Sequence, residues 1–221
     1  MSFLLYGVMA AGIGYILGSL PFGYLLVYLF KGVDLRQQGS GRTGGTNAMR
    51  AAGLGVGLLT AVGDLAKGAG SIWIIRAIVP DPAILPWTEV IAGASAVIGH
   101  NWSVFLGWKG GAGTGPNVGV CIALWPTYGL ALIPLGALVI LLTGYASVTS
   151  LTLAGAIPIG LALRAAAGVG SWVHPIYGVI TILSVIIALL PNIRRLKRGT
   201  ERMVGPRAKA RQRSNQSEQI S

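Results

Sequence analysis

Three short polar islands and the start of the C-terminal tail hold most of the residues in this chain that could do chemistry. The first island, residues 38–50, reads Gln-Gly-Ser-Gly-Arg-Thr-Gly-Gly-Thr-Asn-Ala-Met-Arg. Its glycines, Gly39, Gly41, Gly44 and Gly45, let successive backbone N–H groups turn toward an anion. Arg42 and Arg50 add forked charge, and Ser40, Thr46 and Asn47 are neutral donors. Gly39, Gly41 and Gly44 also match the spacing of a dinucleotide-binding turn, but that turn requires a preceding strand, and here an apolar run of helix length precedes it. A phosphate-binding loop remains, with a plain connector carrying topological arginines as its alternative. The second island, residues 107–115, contains Lys109, Gly110 and Gly111 but lacks the Gly-Lys-Ser/Thr of a nucleotide P-loop. Paired with the first island, it reads as a second wall of one phosphate site. The third, residues 144–150, offers Ser147, Thr149 and Ser150, which could instead satisfy helix ends.

The elements that must position these islands are membrane helices. Of 221 residues, 53% are hydrophobic and only 10% charged, against roughly 25% charged in an ordinary soluble domain. Mean hydropathy is +0.68. Glycine, at 34 residues, fits close contacts between transmembrane helices. This composition excludes a disordered chain and a soluble enzyme. The first apolar run reaches Phe30 with no basic start, too long for a signal-peptide core and long enough for a retained span. Further apolar stretches lie at about 54–79, 87–106, 117–142, 147–163 and 171–190.

A naive count of six spans conflicts with the charges. The loop at 31–52 carries Lys31, Arg36, Arg42 and Arg50, and the tail after residue 190 holds nine basic side chains against Glu201 and Glu218. Both belong on the cytoplasmic side, whereas the loop near 80–89, with Asp81 and Glu89, suits the outside. Lys109 returns to the inside, so an even number of spans must follow it. The stretch 117–142 contains Trp125-Pro126-Thr127, and Pro126 can end a helix there. The expected architecture is therefore an all-α polytopic bundle of about seven spans, with cytoplasmic Gly-rich loops and the N-terminus outside. Six spans apply if 117–142 is a single kinked helix. Residues 1–193 form one transmembrane domain, and 194–221 form a basic, partly disordered cytoplasmic tail. A basic segment directly after an apolar one reads as an anchor on anionic lipid rather than a nucleic-acid site.

Within the second span, Asp64 and Lys67 lie three apart on one helix face. Unpaired charges there cost on the order of 2.5–3.5 kcal/mol each, so a structural ion pair is expected. His100, at the end of a span, reads as a helix-end hydrogen-bonder, and His174 is assigned no role. Cys121 is the only cysteine, so no intrachain disulfide forms. No metal site and no cofactor are expected.

Several ordered motifs resemble those of the bacterial integral-membrane glycerol-3-phosphate acyltransferases that use acyl phosphate (PlsY). Gly18-Ser19-Leu20-Pro21-Phe22-Gly23 resembles the family's first-helix motif. Residues 39–50, from Gly39-Ser40-Gly41 through Thr46-Asn47 to Arg50, resemble its G-S-G-N-x-G-A-T-N-x-x-R loop. Asp64-Leu65-Ala66-Lys67-Gly68 is similar to D-x-x-K-G. Gly99-His100 with Phe105-Leu106 and Lys109-Gly110-Gly111 is similar to G-H-x-x-x-x-F-L-x-x-K-G-G-K-G. Asn192-Ile193-Arg194-Arg195-Leu196 with Gly199 and Glu201 is similar to the terminal N-I-x-R-L-x-x-G-x-E.

The resemblance implies a seven-spanning enzyme of the bacterial plasma membrane with a cytoplasmic active site. Its reaction would move a fatty acyl group from acyl phosphate to the 1-hydroxyl of glycerol 3-phosphate, giving lysophosphatidic acid. Ser40, Arg50, Lys109 and Asn192 are then the expected catalytic residues. Gly39, Gly41, Arg42, Gly44, Gly45, Thr46, Asn47, Gly110, Gly111, Ser147, Ser150 and Glu201 would bind substrate phosphate, with Asp64, Lys67 and His100 in support. Partners are the two substrates and membrane lipid, without nucleic acid. The chain departs from the pattern at three places: Arg42 replaces an asparagine, Ala112 a lysine and Leu189 a histidine. Arg42 could restore the charge lost at Ala112. A diverged or inactive relative acting on another phosphorylated acceptor, and an anion or lipid-headgroup transporter, are the alternative readings.

Overall fold

The computed structural model describes residues 2–205 and 207–208. Among them are nine α-helices: α1 (Phe3–Ser19), α2 (Phe22–Lys31), α3 (Gly45–Ala52), α4 (Leu54–Ile78), α5 (Leu85–Asn101), α6 (Thr114–Leu124), α7 (Pro126–Thr143), α8 (Ala146–Ala166) and α9 (His174–Lys197). The all-helical membrane architecture expected from composition is what the chain adopts. Five apolar helical segments are long enough to cross a bilayer: Phe3–Lys31, Leu54–Ile78, Pro126–Thr143, Ala146–Ala166 and His174–Lys197. The first of these is not one continuous helix. Pro21 interrupts it, and the Leu20 carbonyl at the break accepts a hydrogen bond from Lys67 Nζ at 2.9 Å.

The break expected inside 117–142 falls at Trp125, which is extended, and Pro126 opens α7 at a position where its missing N–H costs nothing. The α6 helix is only 11 residues long, a rise of about 16 Å against roughly 30 Å of hydrocarbon. Its ends nevertheless meet opposite ends of the bundle. Thr114 Oγ1 donates to Ser150 Oγ near the start of α8 at 2.6 Å. The carbonyls of Ala123 and Leu124 accept from Arg76 at 2.7 Å and Arg164 at 2.5 Å, both in the last turns of their helices. The chain thus changes ends once more at α6, as the charge parity requires, and the end near Thr114 is sunk into the helical layer.

Two cations at the far end therefore cover the orphan carbonyls and negative dipole end of α6. Arg76 is held there by Glu89 (2.6 Å), which also bonds His174 Nε2 (2.8 Å). Glu89, expected in an outer loop, lies on α5 and is buried. The main core forms where α4 to α9 meet, around Ile72, Val97, Val120, Leu132, Ile157 and Tyr177. Small residues set the helix spacing: a Cβ at Gly14 or Gly18 of α1 would strike the α5 backbone at Ala92 or Ala96, and one at Gly119 of α6 would strike Leu65 of α4. Leu4, Leu25, Leu29 and Leu163 are among the apolar side chains facing outward, as a lipid-facing surface requires.

The last helix runs on through residues 193–194 to Lys197. Beyond it, residues 199–205 fold back over the bundle: Val204 is buried and its N–H donates to the Gly144 carbonyl at 2.8 Å. The rest of the expected tail, residues 206 and 209–221, lies outside the described residues.

Candidate active site

A cleft of about 370 Å³ opens at the end of the bundle where the three islands and the start of the tail meet. Helices α3, α6 and α8 all begin on it, through residues 44–46, Thr114 with Gly115, and Ala146 with Ser147. First-turn N–H groups have no intrahelical partner, and each helix adds a positive dipole end. Three such ends facing one space make it suited to phosphate. The opposite wall is apolar: Leu54, Leu58 and Ala61 of α4 face Ile133 and Ile140 of α7, and the cleft runs inward to Val118, Leu132 and Leu153. One cavity therefore presents an anion-binding pole and a hydrocarbon wall.

Asn47 shapes the first loop. Its Nδ2 donates to the carbonyls of Leu35 (3.3 Å), Gln38 (2.9 Å) and Arg42 (2.8 Å), and its Oδ1 accepts from the Ser40 N–H (3.0 Å). Expected as a substrate donor, Asn47 is wholly engaged in holding the loop, although it borders the cleft. Gly39 takes a left-handed φ of 52° and lies so close to Asn47 Oδ1 that a Cβ could not be accommodated. Ser40, Gly44, Gly45, Thr46 and Arg50 reach the cleft wall, whereas Gly39 and Gly41 border a neighbouring hollow.

Arg42 ties three segments together. Nη1 donates to the Gly111 carbonyl at 2.7 Å, Nε and Nη2 to Asn192 Oδ1 at 3.1 and 2.9 Å, and Nη2 also to the Ala188 carbonyl. Asn192 then donates from Nδ2 to Glu201 Oε1 at 2.7 Å. Glu201 also accepts from Ser147 Oγ (3.2 Å) and Arg195 Nε (2.8 Å). Burial holds the Arg42 guanidinium below its usual pKa, and the Arg195 charge pushes the same way while Glu201 opposes it. Burial followed by the Arg202 charge does the same at Arg50. Both arginines remain charged, and partial desolvation strengthens their pull on an anion. Arg50 Nη2 points at the carbonyls of Arg202 (3.4 Å) and Met203 (3.3 Å), which places it under the folded-back segment.

The second loop is seated rather than exposed to the cleft. The Gly111 N–H donates to the His100 carbonyl at 2.9 Å, and a Cβ on Gly111 would collide with the His100 ring. Gly110 and Gly111 thus lie flat on the end of α5, and neither reaches the cleft wall. Lys109, expected beside the reacting atoms, is exposed and also lies outside that wall. Ala112 and Leu189 do line it, and both pack into one apolar cluster with Ala154 and Val185. Behind them, Asp64 and Lys67 form a buried ion pair at 2.9 Å, with His100 Nδ1 3.4 Å from Asp64. Asp64 and His100 border the cleft, and Lys67 does not.

Sequence reasoning passed over Arg195, Arg202 and Thr114 as site residues, though all three border the cleft or bond its wall. Arg195 stands within the tail motif and Thr114 within the second island, so membership of those segments was the available signal. The apolar wall had none, because every span in the sequence is apolar.

The sequence profile of the family described as glycerol-3-phosphate acyltransferase matches residues 8–199. The chain is 38% identical over 194 residues to the glycerol-3-phosphate acyltransferase of Desulforudis audaxviator, covering 88% of this chain and 93% of that protein. It is similar to the crystal structure of PlsY, an integral membrane glycerol 3-phosphate acyltransferase, in its glycerol 3-phosphate form. There the TM-score is 0.77 at 30% identity, with 90% of this chain and 96% of the other covered. The lysophosphatidic acid form of the same protein superposes with a TM-score of 0.75, also at 30% identity, over 90% and 95% of the two chains.

Proposed function

The chain belongs to the glycerol-3-phosphate acyltransferase family, and from that premise we propose that it takes its acyl group from acyl phosphate. It is a multi-pass membrane acyltransferase. The 1-hydroxyl oxygen of glycerol 3-phosphate attacks the acyl carbonyl, the carbon–oxygen bond to phosphate breaks, and lysophosphatidic acid and inorganic phosphate form. The observation that carries this reading is the divided cleft: hydrocarbon on one wall, three helix N-termini with Arg50 on the other. An acyl chain with a phosphate head fits both halves at once.

In this reading Ser40, Thr46 and the first N–H groups of α3 hold phosphate together with Arg50, which also offsets charge as the carbonyl is attacked. The starts of α6 and α8, with Ser147 and Ser150, bound the second phosphate. Asn192 is held by Arg42 and Glu201 at the acceptor side, and Lys109 adds positive charge from the rim. Gly110 and Gly111 seat the second loop. The proton of the attacking hydroxyl goes to the acceptor's own phosphate. Supporting this, both carboxylates of the cleft wall are engaged: Asp64 with Lys67, and Glu201 with three donors. The enzyme's main contribution is orientation of the two reactants. The site end faces the cytoplasm, supported by Arg42, Arg50, Arg195 and Arg198 at that end.

Purified protein in lipid nanodiscs, given labelled glycerol 3-phosphate with palmitoyl phosphate or palmitoyl-CoA, tests the donor. Lysophosphatidic acid from acyl phosphate alone is expected. Product from palmitoyl-CoA alone would reject the donor assignment.

A further inference from the structure

Beside the cleft, across Ser40, lies a second hollow of about 330 Å³ walled by Arg36, Gln37, Gln38, Gly41, Arg195 and Arg202. Among the described residues no carboxylate lines it, and its wall arginines are not equally free. Asp34 grips Arg36 through Nε at 3.0 Å and Nη2 at 2.7 Å, and the guanidinium also lies over the Tyr24 ring, 5.3 Å from its centre. Glu201 holds Arg195 at Nε. Both are thus fixed in place from one side. Among the described residues no carboxylate pairs with Arg202, which is exposed on the folded-back segment.

Cleft and hollow together gather five arginines, Arg36, Arg42, Arg50, Arg195 and Arg202. Against them stand Asp34 and Glu201, since Asp64 is neutralised by Lys67. Three positive charges are left over, and Arg202 and Arg50 repel one another across the wall. Like charges held this close favour a bound anion, and fixed guanidinium forks suit phosphate in particular.

We propose that the hollow is a further phosphate subsite, adjoining the reacting cleft, that takes a dianionic phosphate group. That group belongs either to incoming glycerol 3-phosphate or to the inorganic phosphate released by the reaction. The assignment of source rests on the acyl-phosphate reading. Ser40, Arg195 and Arg202 border both spaces, so a phosphate moving between them stays within reach of the same two guanidinium groups.

Equilibrium dialysis of labelled inorganic phosphate against the full chain in phosphatidylcholine nanodiscs tests the subsite directly. Three phosphates per wild-type chain are expected, two in the cleft and one in the hollow. Arg202→Gln, at an exposed position that leaves the fold intact, should weaken one of them at least about tenfold, the scale of a lost charged hydrogen bond. Arg202→Lys should keep much of that affinity. Two or fewer phosphates per wild-type chain, or three bound equally well by Arg202→Gln, overturn the proposal. Kinetics of Arg202→Gln separate the sources. A raised KM for glycerol 3-phosphate with kcat retained marks the incoming substrate, and weakened inhibition by phosphate with KM retained marks the leaving product. A variant in which both KM and phosphate inhibition stay as in the wild type overturns the assignment of the hollow to this reaction. Three bound phosphates with no lysophosphatidic acid from either donor would leave the subsite standing and reject the acyl-transfer reading.

Discussion

Arg42 bonds Asn192 Oδ1 through both Nε and Nη2, at 3.1 and 2.9 Å, although the two residues lie on the first loop and the last helix. This pairing fixes the side-chain amide, because Oδ1 is filled and Nδ2 must face Glu201. Arg42→Ala should therefore release Asn192, the second loop and the folded-back segment together. Displacement of a positioned group by about 1 Å can cost roughly a hundredfold in rate, so lysophosphatidic acid formation should fall as far as in Arg50→Ala. Arg42→Lys should not rescue it, since one ammonium cannot span three acceptors. Near-normal activity in Arg42→Ala would remove Arg42 from the site.

The buried pair of Asp64 and Lys67 predicts a stability effect that can be separated from catalysis. Asp64→Asn leaves Lys67 charged and buried, a loss of about 3–5 kcal/mol. The midpoint of thermal unfolding in detergent should drop sharply. Asp64→Asn combined with Lys67→Met removes the stranded charge and should recover most of the midpoint. If the single and double variants unfold alike, the pair does not hold the α1–α2 break to α4.

The all-helical membrane architecture was legible because hydropathy is a property of segments, and Pro126 marks its own break. The interruption at Pro21 carried the same signal, but an unbroken apolar run concealed it. At the site, the loops were legible as places and their side chains less so as roles. Asn47 reads as a donor until its four partners are counted, and three of those partners are backbone carbonyls that sequence does not locate. Lys109 sits in the most motif-like segment, yet the loop closes against His100 and leaves it at the rim. Ser147 and Glu201 meet only because the chain folds back after α9.

That fold-back gives the next prediction. Glu201 accepts from Ser147, Asn192 and Arg195, so Glu201→Gln presents a donor group to donors. Each charged hydrogen bond lost is worth about 1.5–3 kcal/mol. Amide hydrogen exchange in residues 199–205 should accelerate in Glu201→Gln while exchange in the core of α5 and α6 stays unchanged. Unaltered exchange in 199–205 would mean that Val204 and Arg50 anchor the segment without Glu201.

The three departures from the family pattern occupy one place in space. Arg42 donates to the carbonyls of Gly111 and Ala188, the residues directly before Ala112 and Leu189. Those two side chains pack in the same apolar cluster. A lysine introduced at Ala112 would meet the Arg42 charge in an apolar setting, and a histidine at Leu189 would interrupt that cluster, so Ala112→Lys and Leu189→His should each lower activity. Arg42→Asn alone should do so as well, by freeing Asn192. Made together, Arg42→Asn, Ala112→Lys and Leu189→His exchange one self-consistent arrangement for another, and activity should exceed what the single losses add up to. Neighbouring residues couple by about 0.5–3 kcal/mol, an excess of roughly two- to hundredfold in kcat/KM. Strictly additive losses in the triple variant would show that the three substitutions arose independently, and that Arg42 does not stand in for the missing lysine.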